Sequence, residues 1–235
     1  VDKINIFLKF NIYLMKWIKT FENHDSELLE KIEASERLLN SLGHYKDDLG
    51  YWHVGEDINI YLYFIHNGKL VVKFWEVRGR LNLTGLGLTS LEGCPKSVNN
   101  LLLSNNNLIN LIGSPDIVSG NFSCRNNNLD NIEGVSKEIS GYLDLSGNNI
   151  RDLKSFNWIN CDLIYTYNNP VHEIIESWIN IKSERHELIE YFNDLNCIQG
   201  EKLIMERLVD FYEDTKLDIK YINFNEVKKH YKIIE

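Results

Sequence analysis

The chain is poor in the residues that staple or punctuate small folds. It has only four cysteines and three prolines in 235 residues. Cys94, Cys124, Cys161 and Cys197 lie far apart, with no CxxC pair. That spacing argues against a zinc site, and a chain of this length needs no disulfide framework. A reducing, cytoplasmic setting is the expectation. Basic clusters are missing too: the net charge is −9, with the acidic excess carried mainly by the segments before residue 77 and after residue 170. Phosphate backbones are bound by dense Lys and Arg, so no nucleic-acid partner is expected.

No apolar run approaches the about 20 residues of a membrane span. The nearest, INIFLKFNIYLM, is interrupted by Lys9 and Asn11 and has no small-residue cleavage site. A start at Met15 reads as a natural beginning, with residues 1–14 as an upstream extension. Catalytic signatures are likewise missing. The Gly85–Leu88 stretch lacks the Lys and Ser/Thr of a phosphate loop, the seven histidines are scattered, and no GxSxG occurs. No enzyme, cofactor or metal is expected.

What the chain does have is a phrase that returns every 20 or 21 residues. LNLTGLGLTSL begins at Leu81, LLSNNNLINL ends at Leu111, FSCRNNNLDNI begins at Phe122, and LDLSGNNIRDL begins at Leu143. Each fits apolar-x-apolar-x-x-Asn-x-apolar-x-x-apolar, and a decayed fifth copy reads Leu163, Tyr165, Asn168, Val171, Ile174. A further apolar residue precedes each copy: Val77, Val98, Val118, Ile139 and Ile159. A fixed period of this length predicts a stacked solenoid. The apolar-x-apolar pair predicts a short strand with alternate side chains inward. An inward Asn amide, with two donors and an acceptor, can pair the backbone groups exposed where the strand turns. Asn106, Asn127, Asn148 and Asn168 are therefore expected to stack as a structural ladder. Gly93–Pro95 and Gly113–Pro115 predict an extended return path rather than a helix. Cys124 stands at an inward Leu position and reads as a small buried hydrophobe.

On these residues the segment from Val77 to Ile174 resembles a leucine-rich repeat domain. The phrases SLEGCPKSV, NLIGSPDIV and VSGNFSCRNNNL resemble the short-repeat subclass of bacterial effectors and phage-encoded proteins. The chain departs from that pattern at Leu86, where Asn is expected, at Val98–Leu101, one residue short, and at Gly134–Val135, where the return Pro is missing. The resemblance implies a protein-binding role.

Outside the repeats, Leu28, Leu29, Ile32, Leu38, Leu39 and Leu42 recur at helical spacing, with Asp25 or Ser26 as cap and Gly43 as stop. Alternating residues from Ile58 to Phe64 and from Leu70 to Phe74 flank His66-Asn67-Gly68, a hairpin signal. After Pro170, apolar faces at Ile174–Ile179, Leu188–Phe192 and Leu203–Tyr212 predict three helices, with a fourth around Val227–Ile234. Glu184 and Glu187 read as a solvated face. The expected fold is α+β: a short leucine-rich-repeat solenoid of about five coils with a parallel sheet on the concave face. A helix and β-hairpin cap (residues 1–76) precedes the repeats (77–174), and a helical cap (175–235) follows them.

The expected function is non-enzymatic protein binding through the concave face, by a phage- or bacterium-encoded modulator of a host protein. Outward residues of the kinds that dominate hot spots are the candidate contacts: Arg80, Leu102, Arg125, Tyr142, Asp144, Ile164 and Tyr167. Two alternatives stand beside it. The repeats are a scaffold whose helical cap carries dimerisation or partner binding, so that monomer and homodimer both stay open. Or Cys197 serves an enzyme like the ubiquitin ligases linked to such repeats, against which count the short C-terminal segment and the missing Cys-x-Asp.

Overall fold

A computed structural model describes residues 26–156 and 159–235. The readings for residues 1–14 and for a cap at Asp25 fall outside them. The centre of the protein is a β-solenoid of about five turns, built on a mainly parallel sheet (in order from the amino edge: β1, Tyr45–Lys46; β2, Tyr51–Val54; β6, Lys73–Asn82; β7, Ser97–Leu102; β9, Phe122–Ser123; β11, Tyr142–Asp144; β12, Leu163–Tyr165). Between them in sequence lie β3 (Ile58–Asn59), β4 (Ile65–His66), β5 (Lys69–Leu70), β8 (Ile117–Val118) and β10 (Glu138–Ile139). A helix over residues 26–41 (α1) covers the amino end. The carboxy end carries α2 (His172–Ile175), α3 (Arg185–Asp194), α4 (Met205–Thr215) and α5 (Phe224–Val227).

The repeat positions stack as columns. Leu81, Leu101, Phe122, Leu143 and Ile164 are partners across successive parallel strands, and all are buried. The preceding column, Val77, Val98, Val118, Ile139 and Ile159, is buried as well. At about 1.5–3 kcal/mol for each large apolar side chain, these columns dominate the favourable side of folding. At the return turn Gly134 (φ +82°) lies over the coil beneath, and a Cβ there would meet Ile112 Cα at 2.4 Å.

The Asn ladder is present, with one substitution of position. Asn127 Oδ1 accepts from Leu108 N–H at 3.0 Å, and its Nδ2 donates to Leu103 O and Cys124 O, both at 3.0 Å. Asn106 and Asn148 repeat this pattern. In the fifth coil the ladder residue is Asn169, not Asn168. Asn169 is buried, accepts from Ile150 N–H at 3.0 Å and donates to Leu145 O and Thr166 O. Asn168 occupies the neighbouring left-handed position (φ +55°), in line with Gly85, Asn105, Asn126 and Gly147. Asn tolerates that conformation better than other side chains. The turn therefore asks for Asn at two adjacent places for different reasons, and the pair Asn168–Asn169 disguised which was which.

Each ladder Asn serves the coil before its own. Asn106 thus closes the turn of the first repeat, taking Leu86 N–H at 3.0 Å and Leu88 N–H at 2.9 Å. An Asn at position 86 would have to reach back to a preceding turn of the same shape. There is none: after Ile60 the chain leaves the coil for a 3-10 turn at Leu62–Phe64. Leu86 is the physical consequence.

The caps differ from expectation in detail. Tyr51–Val54 and Ile58–Asn59 run parallel to β6, so the sheet begins well before the recognisable repeats. The hairpin shrinks to β4 and β5 around Asn67-Gly68, both at positive φ. In the carboxy-terminal cap Leu203 and Ile204 lie in a strand, and helix α4 starts at Met205. The segment expected as a last helix ends instead in a strand, Lys232–Ile234 (β15). With β13 (Ile198–Gln199) and β14 (Lys202–Ile204) it forms a three-stranded sheet. The β-branched pair Ile233–Ile234 suits that strand.

The open carboxy edge of the solenoid is plugged by side chains. Asn180 Oδ1 accepts from Ile164 N–H at 2.8 Å, and its Nδ2 donates to Ile164 O at 3.2 Å, as a neighbouring strand would. Arg185, 2% exposed, donates to Cys161 O (2.8 Å), Asp162 O (3.1 Å) and Ile179 O (2.7 Å). These carbonyls belong to the last coil and its exit.

Asn169→Ala should cost about 3 kcal/mol in urea unfolding, because it strands buried backbone groups; Asn168→Gly should change the midpoint little. Arg185→Met should also cost about 3 kcal/mol, leaving three carbonyls unpaired.

Candidate binding face

The register of the last strand decides what the open sheet face presents. Outward columns run across the strands. One reads Arg80, Asn100, then Asn121, Tyr142, Leu163; the next reads Asn59, Asn82, Leu102, Ser123, Asp144, Tyr165. Tyr167 follows two residues beyond Tyr165, on the same face. The fifth coil is thus one residue out of step with its sequence alignment. Ile164, expected outward as a contact, is 1% exposed and packs in the core. Leu163, expected inward, is 41% exposed. The shift follows from Asn169 holding the ladder position: the strand must move with it.

The other expected contacts lie on the sheet face but not in one place. Arg80 is exposed, and its backbone N–H donates to Asp57 Oδ1 at 2.7 Å. Leu102 is half-buried between Asn82 and Ser123. Three strands from Arg80, at about 4.8 Å per strand, Tyr142 begins an aromatic cluster. Its ring meets Tyr165 edge-on at 5.6 Å; Tyr165 stacks on Tyr167 at 6.2 Å; Tyr167 contacts the His172 ring at 4.8 Å. Arg125 reaches Asp144 at 3.7 Å beside this cluster, and Asp144 also accepts from Ser146 N–H at 3.0 Å. Arg80 therefore stands apart, while Arg125, Tyr142, Asp144 and Tyr167 gather at the carboxy end.

Sequence reasoning missed Leu163, Tyr165 and His172. The first two were hidden by the one-residue shift. His172 follows the repeat and is fixed by Thr166, whose Oγ1 lies 2.9 Å from Nδ1; its Nε2 faces Glu176 at 3.6 Å. A recess of about 50 Å³ opens between Tyr165, Tyr167, His172 and Glu176. Aromatic rings, the Leu163 side chain and the Arg125–Asp144 pair thus lie side by side at the carboxy end of the sheet face.

The thiols offer no activated nucleophile. Cys197 is buried, donates to Arg207 O at 3.5 Å, and burial pushes its thiol up to about 12. Cys124 is pushed up by burial and by Asp144. With the thiolate suppressed, both should resist iodoacetamide at pH 8 in the folded protein and react only in denaturant. Among the described residues no helix is long and apolar enough to cross a membrane. No family model, curated protein or solved structure matches the chain.

Proposed function

We propose that the protein is a non-enzymatic binding module of the leucine-rich-repeat type, and that it recognises a protein partner through the carboxy-terminal half of its open sheet face. The observation that carries this reading is the Tyr142–Tyr165–Tyr167–His172 cluster. Apolar and aromatic side chains grouped on one exposed face mark interaction surfaces, and here Tyr167 is 50% and Leu163 41% exposed. Tyr and Arg supply much contact area at small entropic cost. The setting that the repeat resemblance suggests is a cytoplasmic modulator of a host protein, encoded by a phage or bacterium. The buried, protonated Cys197 weighs against the ligase-like alternative.

The test is affinity capture from host lysate followed by measured binding of the captured partner. Tyr142→Ala and Tyr167→Ala should each weaken binding by about 2 kcal/mol, close to thirtyfold, with the urea midpoint nearly unchanged. Asn99→Ala, outside the cluster, should bind normally. A partner that binds all three variants equally overturns the assignment.

A further inference from the structure

The opposite end of the sheet, away from the aromatic cluster, also carries polar groups in a recess. A cleft of about 340 Å³ opens beside β2 and β6, lined by Tyr45, His53, Val54, Glu56, Glu76 and Arg78 among others. It is a solvent-open recess rather than an enclosed cavity. Two backbone irregularities build it. The pairing of β2 with β6 slips after Trp52, so that His53 faces Glu76 and Trp75 is left as the extra residue of a bulge. Bulges re-aim side chains, and this one sets the Glu76 carboxylate beside the His53 ring. Gly79 then lets the 55–57 loop lie on β6: a Cβ there would meet Asp57 N and Glu56 C at 2.3 Å. Asp57 Oδ1 fastens the loop to Arg80 N–H at 2.7 Å. Glu56 is thereby held at the cleft.

The polar groups converge with one sign in excess. His53 Nδ1 lies 3.7 Å from Glu76 Oε1, and its Nε2 lies 3.2 Å from Asp47 Oδ2. Tyr45 stacks on the His53 ring at 4.6 Å, nearly parallel. Arg78 rests on Glu76 through Nη2 at 3.0 Å and Nε at 3.2 Å. The Glu56 carboxylate has no partner among the described residues. Arg78 is 71% exposed at its side chain, and an ion pair so exposed holds weakly. It occupies Glu76 as a replaceable guanidinium.

We propose that this cleft binds a guanidinium group, on Glu76 and Glu56 with the alkyl stem against Tyr45, and that Arg78 competes for the same carboxylate. The group's source is either a free guanidinium compound or an arginine side chain of a peptide.

The probes are agmatine, the peptide acetyl-Gly-Arg-Gly-amide, and uncharged N-butylurea as control. Trp75, whose ring lies 6.5 Å from that of His53, gives a fluorescence readout, with calorimetry as the second. Saturable binding of either cation is expected, with N-butylurea silent. Tighter agmatine identifies the free compound as the source, and tighter peptide the side chain. Glu56→Gln and Glu76→Gln should each lower affinity about tenfold, the loss of one charge-assisted contact, while Arg78→Ala should raise it about threefold. Circular dichroism and urea midpoints establish that each variant is folded; Glu56, on the loop surface, keeps the test valid if Glu76→Gln unfolds. No saturation in wild type and Arg78→Ala, equal binding of N-butylurea, or unchanged affinity in folded Glu56→Gln overturns the proposal.

Discussion

Everything in the solenoid rests on one side-chain amide used four times. A coil of 20 or 21 residues is too short to pair its own turn by secondary structure alone, and an unpaired buried N–H or C=O costs about 1–3 kcal/mol. Asn106, Asn127, Asn148 and Asn169 meet that need across coils: each reaches the carbonyls of two successive turns and the N–H of the earlier one. The apolar columns then stack over a backbone that is already satisfied. The dependence is directional, running towards the amino end, which is why the first repeat does without its Asn.

The same amide sets the chemistry of the outer face. Where Asn169 sits, the last strand must follow, and that one-residue displacement turns Ile164 and Thr166 inward and Leu163, Tyr165 and Tyr167 outward. A side chain that never touches solvent thus selects which side chains do. Strand period two makes the outcome all-or-none.

The repeat was legible in the sequence because its period is strict and its inward residues are nearly all Leu, Val, Ile or Phe. Its last register was not, because Asn suits both the left-handed turn position and the ladder position, and Asn168 and Asn169 stand side by side. The small sheet of the carboxy-terminal cap was not legible either: Lys202–Ile204 and Lys232–Ile234 meet across a long intervening segment, a pairing that no local pattern announces. Arg185 lies beside Glu184 and Glu187 in a stretch that reads as a solvated helix face, yet it points at the solenoid's last carbonyls. Of the proposed contacts, Tyr142, Tyr167, Arg125 and Asp144 could be read from the alternation of strands. The cleft at the amino end could not, since it depends on a bulge at Trp75 and a crossing at Gly79.

The plug formed by Asn180 and Arg185 reaches beyond the cap itself. A bare parallel strand invites the same strand of another molecule, and a stack of coils with two bare ends would lengthen into a filament. Here one end is closed by an amide that imitates a strand without offering a further edge, and the other by the two-residue antiparallel β1. Growth along the stacking direction is thereby opposed at both ends of the solenoid.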